Sequence, residues 1–222
     1  MASNYTNDST LYLLNGSNIK TVYSVYIEKA SGFLALPRRK ESLSNNWLDE
    51  NGLEIDLTSP KWEARRSNLD CFILGTTYSD VRTKIKTFIN EMIKPGLHHL
   101  KLSGVPGIFL VYVEDGFDPE RGSRLNDTKS ICSFSLPLAE PYPFTRQFLA
   151  DRSASIVDSA TLTYNTSKAI TIAWGDGTYS VCAVGSGVKS HFYSTLGVYC
   201  IVVYQGTDGI ITITPTNCTE IL

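Results

Sequence analysis

The sequence predicts a mainly β protein in two parts. The first is an α+β unit with a curved or barrel-like sheet braced by one helix; the second is a small β-sandwich. Three observations carry this. One long stretch only places apolar residues at helical spacing. The other apolar runs are short, rich in β-branched and aromatic residues, and bounded by Gly, Pro or Asp. Charge also falls away near residue 150: residues 1–150 carry 17 Lys and Arg and 17 Asp and Glu, whereas residues 151–222 carry 3 and 5.

In the first part, strands are expected at 21–29, 61–74, 97–102, 107–115 and 130–140. The helix falls in "SDVRTKIKTFINEMIKPG", where Val81, Ile85, Phe88, Ile89, Met92 and Ile93 share one face. Ser79 or Asp80 is expected to cap it by accepting a free backbone N–H. Lys94 suits the C-terminal dipole, and Pro95-Gly96 ends the helix. Two long loops, 35–52 and 115–128, are candidate interaction surfaces. "LAEPYPFTRQFLADRS" reads as a linker, because Pro141 and Pro143 lack the N–H a ladder needs. The boundary falls near 145–152, giving units 1–148 and 149–222. In the second unit, "ATLTYN", "KAITIAW", "GTYSVCAV", "VKSHFYS", "GVYCIVVYQ" and "GIITITPT" are strands separated by the turns "GDG", "GSG", "STLG" and "GTDG".

Composition excludes several functions. A net charge of −2 gives no general electrostatic drive toward nucleic acid or anionic membrane. No apolar run is long enough for a membrane helix, and the N-terminal stretch lacks the pattern of a signal peptide. A protein kept in the cytoplasm, at least at first, is the expectation. The cysteines (71, 132, 182, 200 and 218) include no CxxC pair and read as reduced thiols packed on strands.

No residue set implies catalysis, a metal or a cofactor. His98 and His99 are neighbours on a strand and face opposite ways, so they cannot share a metal. No acidic residue or Cys sits at ligand spacing near them, so structural or surface histidine is the reading. There is no GxSxG, no GxxxxGK[ST] and no GxGxxG ahead of a helix. "LDE" (48–50) and "VEDGFDPE" (113–120) hold paired acids, but loops commonly do. "DGFDPERG" leaves the alternating ligand positions of a calcium loop unfilled. "RRK" at 38–40 and Arg65-Arg66 read as solvated surface or subunit contact.

"AWGDGTYS" (173–180) sits between two alternating runs. Gly175, Asp176 and Gly177 therefore read as a structural hairpin turn: Gly supplies positive φ, and Asp can bond the nearby backbone. Trp174, Tyr179, Phe192 and Tyr193 are candidate ligand contacts, since aromatic faces stack on sugar rings; their alternative role is to fill the core.

Two resemblances follow from these segments. "ITIAWGDGTYS" and "SHFYSTLGVYCIVVY", with His191, Tyr193, Gly197, Tyr199, Ile201 and Val203 in order, resemble a PKD-type module. That resemblance makes the second unit an immunoglobulin-like sandwich. "NGLEIDLTSPKWEARRSNLDCFILG", "SDVRTKIKTFINEMIKPGLHHLKL" and "CSFSLPLAEPYPF" resemble the distal tail (baseplate hub) proteins of long-tailed phages and prophages. This implies a curved sheet with one bracing helix and assembly with itself into rings, commonly of six. It also implies other tail proteins as neighbours, a place in the virion, and a projecting second unit that meets a host surface glycan or protein. The rival expectation is a carbohydrate- or protein-binding module without catalysis.

Overall fold

A computed structural model of the protein describes residues 12–221 apart from 42, 43, 47, 50, 53, 57, 127 and 128. The N-terminal stretch read for an export signal therefore lies outside the described residues up to position 11. So do parts of both long loops, including Glu50 and the side chain of Glu120 from the paired-acid runs.

The first half opens with β1 (Leu13–Leu14), β2 (Ser17–Asn18), α1 (Ile19–Tyr23) and β3 (Val25–Ser31). The first three residues of the strand expected at 21–29 are thus helical. Asn18 caps α1 by accepting the Thr21 N–H at 3.1 Å, and Ser24 ends it in the left-handed region at φ 57°. These two end signals override the β-rich composition of "TVYSVY". Next come the short pair β4 (Ser44–Asn45) and β5 (Glu54–Ile55), then β6 (Arg65–Gly75) and α2 (Tyr78–Met92). The cap of α2 is Thr77, not Ser79 or Asp80. The Thr77 side chain accepts the Asp80 N–H, while Asp80 accepts the Thr76 N–H at 3.0 Å. Val81, Phe88 and Met92 are buried, and Ile93 stands 72% exposed just past the helix end. Burial of each enclosed side chain contributes about 1.5–3 kcal/mol before entropy is charged. Gly75 lets the helix start close to the sheet, since a Cβ there would meet Val81 Cγ2 at 2.6 Å.

The half closes with β7 (His98–Lys101), β8 (Phe109–Val113), β9 (Glu120–Asn126) and β10 (Lys129–Glu140). So the loop expected at 115–128 contains a strand, paired to β10 through two register shifts. The antiparallel sheet runs β2-β1-β7-β8-β10-β6-β3, with β9 also on β10. It is open, not a closed barrel: β2 and β3 are its ends. One face carries α2 and a core that includes Phe88, Ile73, Val111 and Leu136.

The second half comprises β11 (Arg146–Arg152), β12 (Ala160–Thr166), β13 (Ile170–Ala173), β14 (Tyr179–Cys182), β15 (Gly185–His191), β16 (Gly197–Tyr204), β17 (Ile210–Thr216) and β18 (Thr219–Glu220). A sheet of order β14-β13-β16-β11-β18 faces a sheet of order β15-β12-β17. Phe148, Leu162, Ile172, Trp174 and Ile201 fill the space between them. The expected boundary at 148/149 falls inside β11. Phe148 and Ala150 belong to this core, so the connection is the proline-containing stretch 141–145. The "GSG" expected as a turn lies within β15. Gly187 sits opposite Tyr164, and a Cβ there would meet the phenol oxygen at 2.5 Å, so the glycine leaves room for the ring.

Candidate functional site

The chain offers two places to look for function: the cluster around "WGDG", and the surfaces at and beyond the junction of the halves. The first is built on a five-residue link between β13 and β14, which contains the expected turn residues Gly175, Asp176 and Gly177. The Trp174 N–H donates to the Thr178 carbonyl at 3.0 Å to close it. Gly175 (φ +88°) and Gly177 (φ +93°) supply the left-handed positions. Gly175 also passes against β16, where a Cβ would meet the Cys200 carbonyl oxygen at 2.7 Å.

Asp176 holds this link together. One carboxylate oxygen accepts the Thr178 N–H at 3.0 Å and its hydroxyl at 2.6 Å; the other pairs with His191 Nε2 at 2.7 Å. Burial pushes the Asp176 carboxyl up, but the Thr178 and His191 hydrogen bonds outweigh it and hold it below the usual aspartate range. The His191 ring stacks on Trp174 at 5.1 Å and meets Tyr193 edge-on at 4.9 Å; Tyr193 stacks on Tyr199 at 3.9 Å. The Tyr193 hydroxyl donates to the Trp174 carbonyl at 2.8 Å, and the indole N–H donates to Ser180 at 2.9 Å.

This arrangement is a satisfied structural unit. Trp174 is 1% exposed and Tyr193 2% exposed, so neither can stack on a ligand. Of the four aromatic residues singled out, Tyr179 and Phe192 alone present their rings to solvent. His98 is likewise structural, bonded through one ring nitrogen to Asn15 at 3.1 Å and through the other to the Met92 carbonyl at 3.0 Å. The five cysteines are thiols rather than disulfides, four of them buried, and burial pushes Cys71 and Cys200 up to about 12, which suppresses thiolate chemistry. Among the described residues no three His, Cys, Asp or Glu side chains gather into a metal-binding group, and no helix is long and apolar enough to cross a membrane.

The junction is more elaborate than sequence suggested. Arg65, read as surface, is covered: its guanidinium donates to Glu140 at 2.9 Å, the Phe33 carbonyl at 2.8 Å and the Pro143 carbonyl at 2.9 Å. Arg66 points away and pairs with Glu114 at the surface. Burial pushes the Glu140 carboxyl up to about 7, with Arg65 drawing it the other way. A cleft of about 520 Å³, lined in part by Phe33, Pro106, Phe109 and Phe144, opens beside this pair. Deeper in the joint, Gln147 imitates a strand neighbour. It accepts the Ile108 N–H at 2.8 Å and donates to the Ile108 carbonyl at 2.6 Å. Ile108 and Leu110 from the first half and Cys200 and Val202 from the second form an apolar cluster there. Equal spacing of buried residues in "YCIVV" was the available signal: a strand apolar at every position is covered on both faces.

At the far end of the sandwich, the 153–159 and 192–196 connections lie side by side, because Arg152 pairs with Gly197 and Ala160 with His191. Val157 (79%), Phe192 (66%) and Leu196 (57%) are exposed there.

These features define an antiparallel, two-unit β fold with a packed, hydrogen-bonded joint and apolar exposed surfaces. No protein-family model matches the sequence, and no curated protein matches it. Among solved structures, the fold is similar to a crystal structure of SPP1 Dit (gp 19.1), described as a paradigm of the hub adsorption apparatus in phages infecting Gram-positive bacteria. The TM-score is 0.50 at 11% identity, covering 96% of this chain and 99% of that one.

Proposed function

We propose that this chain is a structural protein of a phage or prophage tail, a distal-tail hub that assembles with copies of itself into a ring, with six as the expected order. The carrying observation is that the likeness to SPP1 Dit runs through both halves over nearly the full length of each chain. Its neighbours on this reading are other tail proteins, its place is the virion tail, and its assembly occurs in the bacterial cytoplasm. It carries out no catalysis. The second half acts as a PKD-like module projecting from the ring, a reading supported by the Trp174, Asp176, His191, Tyr193 and Tyr199 cluster. Its distal end, with Val157, Phe192 and Leu196, is the part that meets another tail protein or the host surface.

Light scattering and negative-stain microscopy of the purified chain test the reading. Discrete closed rings are expected. A protein that stays monomeric across the accessible concentration range, alone and with tail partners, refutes it.

A further inference from the structure

We propose that the segment 34–40 of one copy docks into the groove on the β3, β6 and β10 face of the next copy, and that this contact closes the ring. The inference rests on the ring reading above and names its interface.

The segment follows β3 through a turn, closed where the Ala35 N–H donates to the Gly32 carbonyl at 3.1 Å, and from Arg38 to Lys40 it is held extended against 61–63. The Glu63 N–H donates to the Arg38 carbonyl at 2.8 Å, and the Lys40 N–H donates to the Lys61 carbonyl at 2.8 Å. Pro37 is buried beneath it, so the strip is anchored from below. Outward stand Leu34 (79% exposed) and Leu36 (71%), followed by Arg38 and Lys40, both exposed. Two exposed leucines followed by two cations tethered to 61–63 are poorly placed as a solvated loop. A strip tethered at one end in this way binds with a reduced ordering cost.

The groove has a volume of about 460 Å³ and complementary chemistry. Pro137 and the half-buried Phe117 line it, with the core residue Phe134 beneath, and Glu28, Asp70 and Asp118 supply acids. Asp70 is fixed by Asn68 at 2.8 Å and Ser135 at 2.9 Å. Lys29 is level with Asp70 across the strand pair, which leaves these four side chains net negative. Apolar surface suits the leucines, and acids suit Arg38 and Lys40. Strip and groove use different residues of the same chain. The contact is therefore heterologous, the type that generates a ring when the rotation closes. A second copy is the occupant the charge pattern selects, because the chain itself carries both halves of the match.

The test compares the full-length wild type with R38E/K40E, with E28K/D118K, and with the fourfold variant. Circular dichroism confirms that each is folded, as expected for exposed positions. Light scattering and negative-stain microscopy read assembly at several salt concentrations. The wild type is expected to form rings that weaken with salt. Each double variant is expected to lose at least tenfold in ring fraction, and the fourfold variant to regain rings because the charges are again opposite. Wild-type rings that persist in both double variants overturn this contact and leave the ring reading standing. Loss in both without recovery in the fourfold variant overturns the pairing of strip with groove. A wild type that forms no discrete oligomer overturns the ring reading and this contact together.

Discussion

Asp176→Ala removes the central acceptor of the "WGDG" link. Three hydrogen bonds vanish: two from Thr178, at 3.0 and 2.6 Å, and one from His191 at 2.7 Å. Bonds to a charged group contribute about 1.5–3 kcal/mol each, but they share one carboxylate that is about one-fifth exposed, so the total is set near the lower end at about 3 kcal/mol. For the two halves unfolding as one unit, a chain of this size shifts by about 2–4 °C per kcal/mol, giving an expected loss of about 6–12 °C in Tm. Calorimetry at neutral pH measures it. The sign with pH follows from a folded pKa lower than the unfolded one. The contribution is fully present above the 3.8 of a free aspartate and fades as pH falls through the lower folded value. Wild type and variant should therefore converge in acid. A shift under about 2 °C at neutral pH, or a difference that grows in acid, refutes the role given to Asp176.

Two further outcomes are expected. Gln147→Ala leaves the Ile108 N–H and carbonyl unpaired in an apolar joint, costing about 2 kcal/mol or more, and should split one calorimetric transition into two. Glu140 has a folded pKa of about 7, above the 4.5 of a free glutamate, so its contribution is fully present below 4.5 and is lost as pH rises through 7. The wild type should thus lose stability, by about 3 kcal/mol at most, between pH 4.5 and 8, and Glu140→Gln should flatten that slope in chemical denaturation.

Helical period and turn residues made α2 and most strands of the second half legible, because each buries one face and shows the other. The failures share a cause: tertiary context outweighed local composition. α1 hides in "TVYSVY" because a cap and a left-handed Ser24, not propensity, define it. β11 hides in a stretch dominated by prolines and charges, although Phe148 and Ala150 alternate correctly with its outward residues. Trp174 and Tyr193 looked able to bind a ligand from type alone; their burial depends on which strands enclose them. Arg65 looked like surface because its three acceptors come from segments far apart in sequence.

The joint bears directly on how a ring of this protein would present its second half. Alternation on β8 sends Phe109 and Val111 into the first core and Leu110 into the joint. Alternation on β16 sends Tyr199, Ile201 and Val203 into the sandwich core and Cys200 and Val202 into the same joint. Each half thus donates the outer face of a strand that is already fixed on its inner face. Slippage by one residue would exchange core and joint residues on that strand, which disfavours sliding. Gln147 adds a directional pair to Ile108, and Arg65 ties the connecting stretch at Pro143 to the first sheet. The connection is therefore not a flexible linker, and the direction of the distal end is set by packing. In a ring of such subunits, every Phe192 and Leu196 would stand at the same height and angle, so a weak contact at each tip becomes strong when several engage together.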